Sequence, residues 1–460
     1  MCQEVLITSF GAVADGLTNN SQAIQSAIDE VSGNGGGKVI VPAGIFLTGS
    51  FQLKANVDFH LSEGAKILAS SNYEDYLPEH SVDRVTAGEV VEDVLPRRAF
   101  IVAFKAHNLR ITGEGQINGS ADEFILERGQ YIHSMRGPVG GKSQYLERPF
   151  TIFIIESNDV LLENFTIKDP AFWALRATGC KNLLIDGIHI LTDLMVPNAD
   201  GIDVDRCQNV QIRNCELITA DDSISLKSCA GTSQYGVLEN VIISNTYMKS
   251  TSGAITIGTE ACGDIRNVLV TDCIVEDSHR GFAVRPREGG TVSNVLFTKS
   301  RVSTRAFSDS WWGHGEALHV TASSWDDPGR GTDGNPERLL AGKVDGVRFS
   351  HLDVHTEAGI LVWASAPELI KNVDFESVTI TLDNSSKWSA RIDLRPNGVH
   401  DFLLGPHSAI SLLNVESVSM SELNIVWDGR TRSNYKSALE VVNVKTLSLN
   451  NFKYEEPALT

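Results

Sequence analysis

Apolar positions recur along most of the chain in a short unit. In it a polar residue, often asparagine, precedes a V/L-x-I/F segment that alternates with polar residues. The apolar residue after that polar position falls at Val160, Leu183, Val210, Val241, Val268, Val295, Val347 and Val373. The steps are 23, 27, 31, 27, 27, 52 and 26 residues, and we interpret the 52-residue step as about two periods. Alternation with this period predicts stacked turns of short β-strands.

A unit this short cannot bury its apolar face alone, whereas stacked units share one continuous core. We therefore predict an all-β fold, a right-handed parallel β-helix. The competing β-propeller would need blades of about 40–45 residues, which does not fit the period. The repeated asparagines are expected in turns, where stacked amide side chains can satisfy backbone groups.

One helix is predicted before the repeats. Asn20 and Ser21 can cap it, and the run Gly33 to Gly37 ends it. Its apolar face at helical spacing consists of Ala23, Ile24, Ala27 and Ile28. Because an open end of a β-helix is an exposed sheet edge, we interpret this helix as the N-terminal cap.

The repeats predict a single parallel β-helix domain over residues 1–460. Residues 1–60 would hold the cap and first rungs, and residues 61–460 the remaining rungs. Long loops are expected near 74–98, 120–147 and 304–342, where a solenoid usually builds its binding face. With its ends covered the domain is expected to be a monomer.

The net charge of the chain limits the classes of binding partner that we expect. The formal net charge is −19, so a nucleic acid or an anionic membrane is not an expected partner. The sequence contains no run of about 18 apolar residues, so it predicts no membrane-spanning helix. A polyanionic substrate would need a locally basic site on this acidic chain.

The seven cysteines form no CxxC pair, which favours buried free thiols over a zinc site. A Cys207–Cys215 disulfide is the alternative. The first predicted strand begins at Val5 and no signal peptide is visible. We expect a secreted or periplasmic location, with a cytoplasmic one as the alternative.

The densest acidic constellation lies on two neighbouring predicted rungs. Asp200 precedes the adjacent Asp221 and Asp222 by 21 residues, close to one turn. The segments should therefore lie roughly 4.8 Å apart along the axis. Like charges this close raise at least one pKa, as acid–base hydrolysis of a sugar acetal requires. Asp203 and Asp205 are expected to be turn residues, and a Ca²⁺ site is the alternative for the whole group.

At these residues the chain resembles glycoside hydrolase family 28, the polygalacturonases and their relatives. Phe10–Gly16 is similar to the start of many pectin-active β-helix proteins. Asp169–Trp173 resembles the S-P-x-W rung of bacterial members, and Ile257–Glu260 their I-G-S-E. The specific matches are Asn198–Asp203 for N-T-D-G-x-D and Asp221–Ser228 for D-D-C-I-A-I-K-S.

The resemblance implies an inverting hydrolase of a pectic poly- or oligosaccharide that needs no metal or organic cofactor. Asp221 would be the general acid, and Asp200 and Asp222 would position and deprotonate the water. Lys227 would lie behind them, and Asn198 would orient Asp200. The long loops could wall off one end of the groove and make the enzyme exo-acting.

Two departures from the family concern the substrate site. The family's G-H-G histidine is absent from Ser250–Thr256, and the R-I-K motif is replaced within Arg280–Arg285. Arg285 stands where the lysine would be and can bind a carboxylate bidentately. We expect His279 and Arg280 to compensate, and an ordinary surface role for Arg285 is the alternative.

A loop with Trp311, Trp312 and His314 is the remaining candidate for substrate contact. Exposed tryptophans suit stacking on sugar faces, although tandem tryptophans are often core residues. His314 is predicted to replace the missing histidine in space.

Other classes of protein share the predicted fold. A polysaccharide lyase would use an Arg or Lys base with Ca²⁺, and a mannuronan-type epimerase would leave chain length unchanged. A non-catalytic carbohydrate-binding β-helix has no reason to keep the three aspartates together.

Overall fold

A computed structural model describes residues 3–76, 98–124, 148–309, 311–326, 336–383, 386–398, 400–428 and 435–454. The chain forms two compact units. Unit 1 comprises Met1–Ala220 with Gln234–Gly236, and unit 2 comprises Asp221–Ser233 with Val237–Thr460. The prediction of one domain over the whole chain stays a prediction. Most of two predicted loops, 77–97 and 125–147, and residues 327–335 of the third lie outside the described residues.

Unit 1 consists of short strands with two helices, α1 (Ser21–Gly33) and α2 (Ala121–Phe124). The strands are β1 Gln3–Leu6, β2 Gly37–Val41, β3 Gly44–Thr48, β4 Phe51–Leu53, β5 Val57–Leu61, β6 Ala65–Ala69, β7 Ala99–Phe104, β8 Arg110–Gly113, β9 Gln116–Asn118, β10 Phe150–Ile155, β11 Asn158–Glu163, β12 Thr166–Lys168, β13 Leu175–Thr178, β14 Lys181–Asp186, β15 His189–Leu191, β16 Ile202–Asp205, β17 Gln208–Arg213 and β18 Glu216–Thr219. From β2 onward each strand pairs in parallel with the third strand after it, which makes three stacks and a three-sided turn.

Unit 2 continues the numbering with β19 Ile224–Ser228, β20 Leu238–Ser244, β21 Tyr247–Ser250, β22 Gly253–Ala261, β23 Ile265–Thr271, β24 Ile274–Ser278, β25 Arg280–Pro286, β26 Thr291–Thr304, β27 Glu316–Ala322, β28 Lys343–Thr356, β29 Gly359–Ala364, β30 Ile370–Leu382, β31 Arg391–Asp393, β32 Phe402–Leu404, β33 Ile410–Trp427 and β34 Leu439–Asn450. From β26 onward two sides of the turn merge into one long strand, so β26 pairs with both β23 and β24. Only β31 and β32 among the described strands pair antiparallel, as a hairpin.

Both units are right-handed parallel β-helices, which confirms the predicted fold class. The predicted register holds inside each unit. Leu183 pairs with Val160 and Val210 in unit 1, and Val268 pairs with Val241 and Val295 in unit 2.

The interpretation of the 52-residue step as about two periods is wrong. Val295 pairs directly with Val347, so a single turn contains the whole insertion. An inserted loop adds residues without adding a rung, and spacing alone cannot separate the two.

The repeated asparagines form ladders, but they lie within β20, β23 and β26 rather than in turns between strands, and the ladder bonds join side chains rather than backbone groups. Asn267 accepts from Asn294 at 2.8 Å and donates to Asn240 at 3.0 Å. These residues have positive φ values, a conformation that asparagine tolerates better than most residues. The ladder therefore satisfies side-chain amides at each repeated position.

Helix α1 packs on the first strands of unit 1, as predicted for a cap. Ile24, Ala27 and Ile28 are fully buried, whereas Ala23 is half-buried. Asn20 is the N-cap residue, but its side chain makes no capping hydrogen bond. The Asn20 amide instead donates to Leu47 O at 3.0 Å and accepts from Val13 N at 2.7 Å, which ties the helix start to β3.

The core of unit 2 contains a ladder of phenylalanine rings. Phe297 stacks on Phe282 at 4.8 Å and on Phe349 at 5.1 Å. Offset stacking of this kind adds about 0.5–1.5 kcal/mol per pair beyond burial. The six cysteines in the described residues are free thiols, so the Cys207–Cys215 alternative is wrong. No helix in the described part of the chain is long and apolar enough to span a membrane.

Candidate active site

The parallel stack of β19, β22, β25, β27 and β29 in unit 2, called the β19 stack below, has chemically distinct sides. Its inner side is apolar. Alternation directs Ser225 and Lys227 of β19, and Arg285 of β25, to the outer side. Ser225, Lys227 and Arg285 therefore lie on one side of one sheet.

Asp221 and Asp222, called the aspartate pair below, directly precede β19. One carboxylate oxygen of Asp222 accepts from Gly253 N at 2.9 Å and from Ser252 Oγ at 3.2 Å. Asp222 N donates to Asp221 Oδ1 at 2.9 Å, and Ser250 Oγ donates to Asp221 O at 2.7 Å. Backbone and serine donors thus fix both aspartates.

Electrostatics change the pKa of Asp221. Burial, and then the charge of Asp222, raise the pKa of Asp221 to about 7, against the opposing effects of Ser252 and Lys227. Asp221 is 7% exposed. A carboxyl group with this pKa retains its proton near neutral pH and can donate it.

Gly253 is required by the position of Asp222. A Cβ atom at residue 253 would lie 2.6 Å from Asp222 Oδ1 and 2.6 Å from Thr256 Oγ1. The segment Ser250–Thr256, which lacks the family's histidine, therefore supplies serine hydroxyl and backbone N–H donors instead.

Lys227 forms a buried ion pair with Glu260. Lys227 Nζ lies 2.8 Å from Glu260 Oε2, and the side chains are 7% and 8% exposed. Glu260 belongs to the I-G-T-E segment matched from the sequence, but its contact with Lys227 was not predicted.

Asp200 and Asn198 belong to unit 1. Asp200 is buried, and its carbonyl oxygen accepts from Ala174 N at 2.9 Å. Asn198 Oδ1 accepts from Arg148 Nη2 at 3.4 Å, and Arg148 also donates to Pro197 O at 2.6 Å. The expected proximity of Asp200 to the aspartate pair stays a prediction.

The neighbouring acids of unit 1 have packing roles. Asp205 pairs with Arg176 at 3.3 Å, and neither side chain is exposed. The Arg176 guanidinium lies over the ring of Phe153 at 4.9 Å and over that of Trp173 at 5.1 Å. Asp203 and Asp205 both lie in β16 and are fully buried, so the expectation that they are turn residues is wrong.

Arg280 lies at the start of β25 and is fully buried. Its Nε is 3.4 Å from Glu316 Oε2, and its Nη2 is 3.6 Å from Asp393 Oδ2. Arg395 Nε lies 3.0 Å from Asp393 Oδ1. We call Arg280, Glu316, Asp393 and Arg395 the Arg280 cluster. Its opposite charges compensate each other, which leaves Arg280 little capacity for substrate.

Arg285 differs from Arg280. Among the described residues its Nε and Nη2 have no hydrogen-bond partner, although the side chain is 4% exposed. Burial, and then the charge of Arg280, lower the pKa of Arg285 to about 9, so it remains a cation at neutral pH. A buried guanidinium with two unbonded nitrogens is well suited to a carboxylate ligand.

His279 lies beside Arg280, and its Nδ1 donates to Thr251 O at 3.1 Å. Burial, and then His314 and Arg280, lower the pKa of His279 to about 3, so it is neutral. The two imidazole rings of His279 and His314 lie 6.1 Å apart. His314 Nε2 donates to Ser389 O at 2.7 Å.

The two tryptophans have different environments. Trp311 is 4% exposed and its carbonyl oxygen accepts from Arg395 Nη2 at 2.7 Å. Trp312 is half-buried, with the Arg395 guanidinium 5.5 Å from its ring centre. Trp312 retains more surface for a sugar ring than Trp311.

The β31–β32 hairpin is a feature that the sequence did not predict. Ile392 and Leu394 pack against Leu361 and Trp363, the outer residues of β29. Between them Asp393 O accepts from His319 Nε2 at 3.0 Å. The hairpin therefore covers the outer side of β27 and β29. Its only sequence signal is the alternation of Arg391, Asp393 and Arg395 with apolar residues.

The family model described as Glycosyl hydrolases family 28 matches residues 38–306, more than half of the chain. The chain therefore belongs to glycoside hydrolase family 28.

Similar proteins agree with this assignment. A probable polygalacturonase from Vitis vinifera is 32% identical over 240 residues, which cover 50% of this chain and 45% of the relative. An exo-poly-alpha-D-galacturonosidase from Dickeya chrysanthemi is 26% identical over 286 residues, which cover 55% of this chain and 47% of the relative. The chain thus spans less than half the length of these relatives.

A solved structure shares the fold. It is a family 28 exopolygalacturonase from Yersinia enterocolitica, with a TM-score of 0.71 and 19% identity, covering 96% of this chain and 78% of that one.

Proposed function

We propose that this chain is a glycoside hydrolase that cleaves pectic chains of the galacturonan type. The observation that carries the proposal is Asp221, a buried carboxyl group whose pKa is raised to about 7 beside the ionisable Asp222. Family membership and relatives named polygalacturonase support the same substrate class.

The proposed reaction inverts the anomeric centre. Asp221 gives its proton to the glycosidic oxygen as the bond from that oxygen to the anomeric carbon breaks. Asp222 and Asp200 orient a water molecule and accept its proton as its oxygen bonds to that carbon. Solvent exchange then returns a proton to Asp221. The role of Asp200 rests on the resemblance and on its spacing of 21 residues from Asp221.

The basic group proposed to hold the substrate is Arg285. The chain carries a net charge of −19, so a galacturonate residue needs a local cation. Arg280 is compensated within its cluster and Lys227 is paired with Glu260, whereas Nε and Nη2 of Arg285 have no hydrogen-bond partner among the described residues. We propose that Arg285 binds a galacturonate carboxylate, with Trp312 as part of the sugar-binding wall.

We further propose that hydrolysis is exo-acting. The β31–β32 hairpin covers the outer side of β27 and β29, so a sugar chain bound along the β19 stack would meet a wall there. This supports binding of a chain end. The Dickeya relative is named an exo-acting enzyme as well.

A polysaccharide lyase is the second candidate, because one observation favours it. Arg285 is buried and its pKa is lowered to about 9, which brings it closer to the behaviour of a base. A lyase would leave unsaturated products, whereas hydrolysis leaves saturated ones.

Product analysis on a panel of pectic substrates tests these proposals. Homogalacturonan, rhamnogalacturonan oligosaccharides and aryl glycosides would be incubated with wild type and Asp221→Asn, with and without chelator. We expect saturated monosaccharides from the start of the reaction, and loss of product in the variant. Early release of long oligosaccharides would reject exo-action, and ultraviolet-absorbing products would favour the lyase.

A further inference from the structure

The register between β19 and β22 contains a bulge at Lys227. Leu226 pairs with Ile257, and Ser228 pairs with Ala261. Three residues of β22, from 258 to 260, therefore lie opposite the single residue Lys227. Bulges redirect side chains and are frequent beside active sites. Here the bulge places Glu260 next to Lys227, where a regular register would place Gly258.

The ion pair that results is enclosed. Lys227 Nζ and Glu260 Oε2 are 2.8 Å apart, and each side chain is less than a tenth exposed. Burial raises the pKa of Glu260, but Lys227 outweighs it and Arg338 adds to the effect, so the pKa lies below its ordinary value. Glu260 is therefore an anion at neutral pH, and it balances the buried ammonium group.

Lys227 also acts on Asp221. Its positive charge lowers the pKa of Asp221, while burial and Asp222 raise it. Asp222 is in turn close enough to Arg285 to affect its ionisation. The proton on Asp221 thus depends on the balance of charges around it, and Glu260 is the anion that pairs with Lys227 across the bulge.

We propose that Glu260 is a positioning residue for the acid step: its ion pair limits the positive charge that Lys227 presents to Asp221, and so sets the pH range in which Asp221 keeps its proton. The inference rests on the proposed function, in which Asp221 is the general acid. Glu260 acts through Lys227 and contacts no reacting atom.

The decisive variant is Glu260→Gln, which preserves shape and an oxygen acceptor for Lys227 but removes the charge. Lys227 then stabilises ionised Asp221 more strongly, so the basic limb of kcat/KM against pH should move down by about one pH unit. Lys227→Gln should move the limb upward, and the double variant should restore it towards wild type. Glu260→Asp retains the charge and should keep the wild-type limb.

Glu239→Gln is the matched control. Glu239 pairs with Arg266 across neighbouring strands at the same 2.8 Å, but the arginine is 46% and the glutamate 26% exposed. Loss of this solvent-screened pair should leave the pH profile unchanged.

A second readout does not depend on turnover. Difference infrared spectroscopy of Glu260→Gln against the same variant with Asp221→Asn follows the Asp221 carboxyl directly. In Glu260→Gln the titration of the Asp221 carboxyl in these spectra should move to lower pH, as the basic limb does. A general loss of activity with an unmoved limb and unmoved titration would assign Glu260 a purely structural role and overturn the inference.

Different results would reject the proposed function and the proposed role of Glu260. Retained hydrolysis in Asp221→Asn would reject the proposed function. The basic limb of the pH profile could then no longer be assigned to Asp221. An inactive Asp221→Asn combined with a fixed limb in Glu260→Gln would reject only the role of Glu260.

Discussion

Two charged clusters in unit 2 are built in opposite ways. In the Arg280 cluster each charge has an opposite partner: Arg280 lies 3.4 Å from Glu316 and 3.6 Å from Asp393, and Arg395 lies 3.0 Å from Asp393. In the aspartate pair two acidic side chains are adjacent in sequence and one of them is almost fully buried.

A buried aspartate in each cluster has its pKa shifted, but in opposite directions, because the charges of the neighbouring side chains differ. Burial alone raises the pKa of Asp393, yet Arg395 and Arg280 outweigh it and hold that pKa well below its ordinary value. Burial and Asp222 together raise the pKa of Asp221 to about 7. A compensated cluster stabilises the fold, whereas a carboxyl group whose pKa is raised to about 7 holds a proton that it can transfer.

The largest expected effect is the loss of activity in Asp221→Asn. Asparagine cannot supply the proton, so kcat should fall by about 10²–10⁴-fold. Release of saturated reducing sugar from homogalacturonan measures it. Wild-type kcat/KM should decline as pH rises through about 7, where Asp221 loses its proton. A variant with full activity would remove Asp221 from the mechanism.

The same variant should be more stable than wild type at high pH. The folded-state pKa of Asp221, about 7, lies above its ordinary value of 3.8, so its protonated form contributes stability at low pH that is lost as pH rises through about 7. Asparagine has no such loss. We expect Tm to rise by about 2–4 °C at pH 8 and to change little at pH 4. Equal shifts at both pH values would contradict this linkage.

The next largest effect is a loss of stability in the Arg280 cluster. Glu316→Gln leaves Arg280 buried with one anionic partner fewer, which should cost about 3–5 kcal/mol of unfolding free energy. Denaturant unfolding measures the loss. The control is Glu376→Gln, whose partner Arg348 lies 3.9 Å away with both side chains largely exposed, and it should change little. Equal effects in the two variants would refute the contrast between the clusters.

Arg285→Ala tests the cation outside the compensated cluster. It should raise KM for galacturonan about 10–100-fold while KM for an uncharged aryl glycoside stays the same. Arg285→Lys should lie between the two, because lysine keeps the charge but not the bidentate geometry. An equal loss on charged and uncharged substrates would argue for a packing role.

A smaller effect is expected from Gly253→Ala. The added methyl group would lie 2.6 Å from Asp222 Oδ1 and displace the carboxylate. We expect kcat to fall about 10-fold at nearly unchanged KM, because a small misplacement of a catalytic group is costly. Gly33→Ala is the control, since a Cβ there meets no heavy atom within 4 Å. Unchanged kcat would mean that Asp222 needs no fixed position.

The smallest effect is expected at His314. Its ring lies 6.1 Å from His279, and its Nε2 is bonded to Ser389 O. His314→Ala should lower kcat/KM by about 2–5-fold, or up to about 1 kcal/mol. Full activity would remove the hypothesis that His314 replaces the family's missing histidine.

The sequence predicted the fold class because each turn repeats a local pattern. Alternation set which side chains face the core, and asparagine marked each turn. It could not separate an inserted loop from an extra rung between Val295 and Val347, because both add residues at a similar spacing. The acidic motif could be read from the sequence because Asp221 and Asp222 are adjacent. The burial that contributes most to the raised pKa of Asp221 is set by the fold.

What the sequence alone determined is therefore the repeat, the fold class and the identity of the acidic residues. The partners of those residues were decided by tertiary structure. The bulge in β22 brings Glu260 to Lys227, and the hairpin brings Asp393 to Arg280, a residue 113 positions earlier. Charge compensation depends on three-dimensional distance, which no local pattern encodes. Only the folded structure could therefore separate Arg280, which has two anionic partners, from Arg285, whose Nε and Nη2 have no hydrogen-bond partner among the described residues.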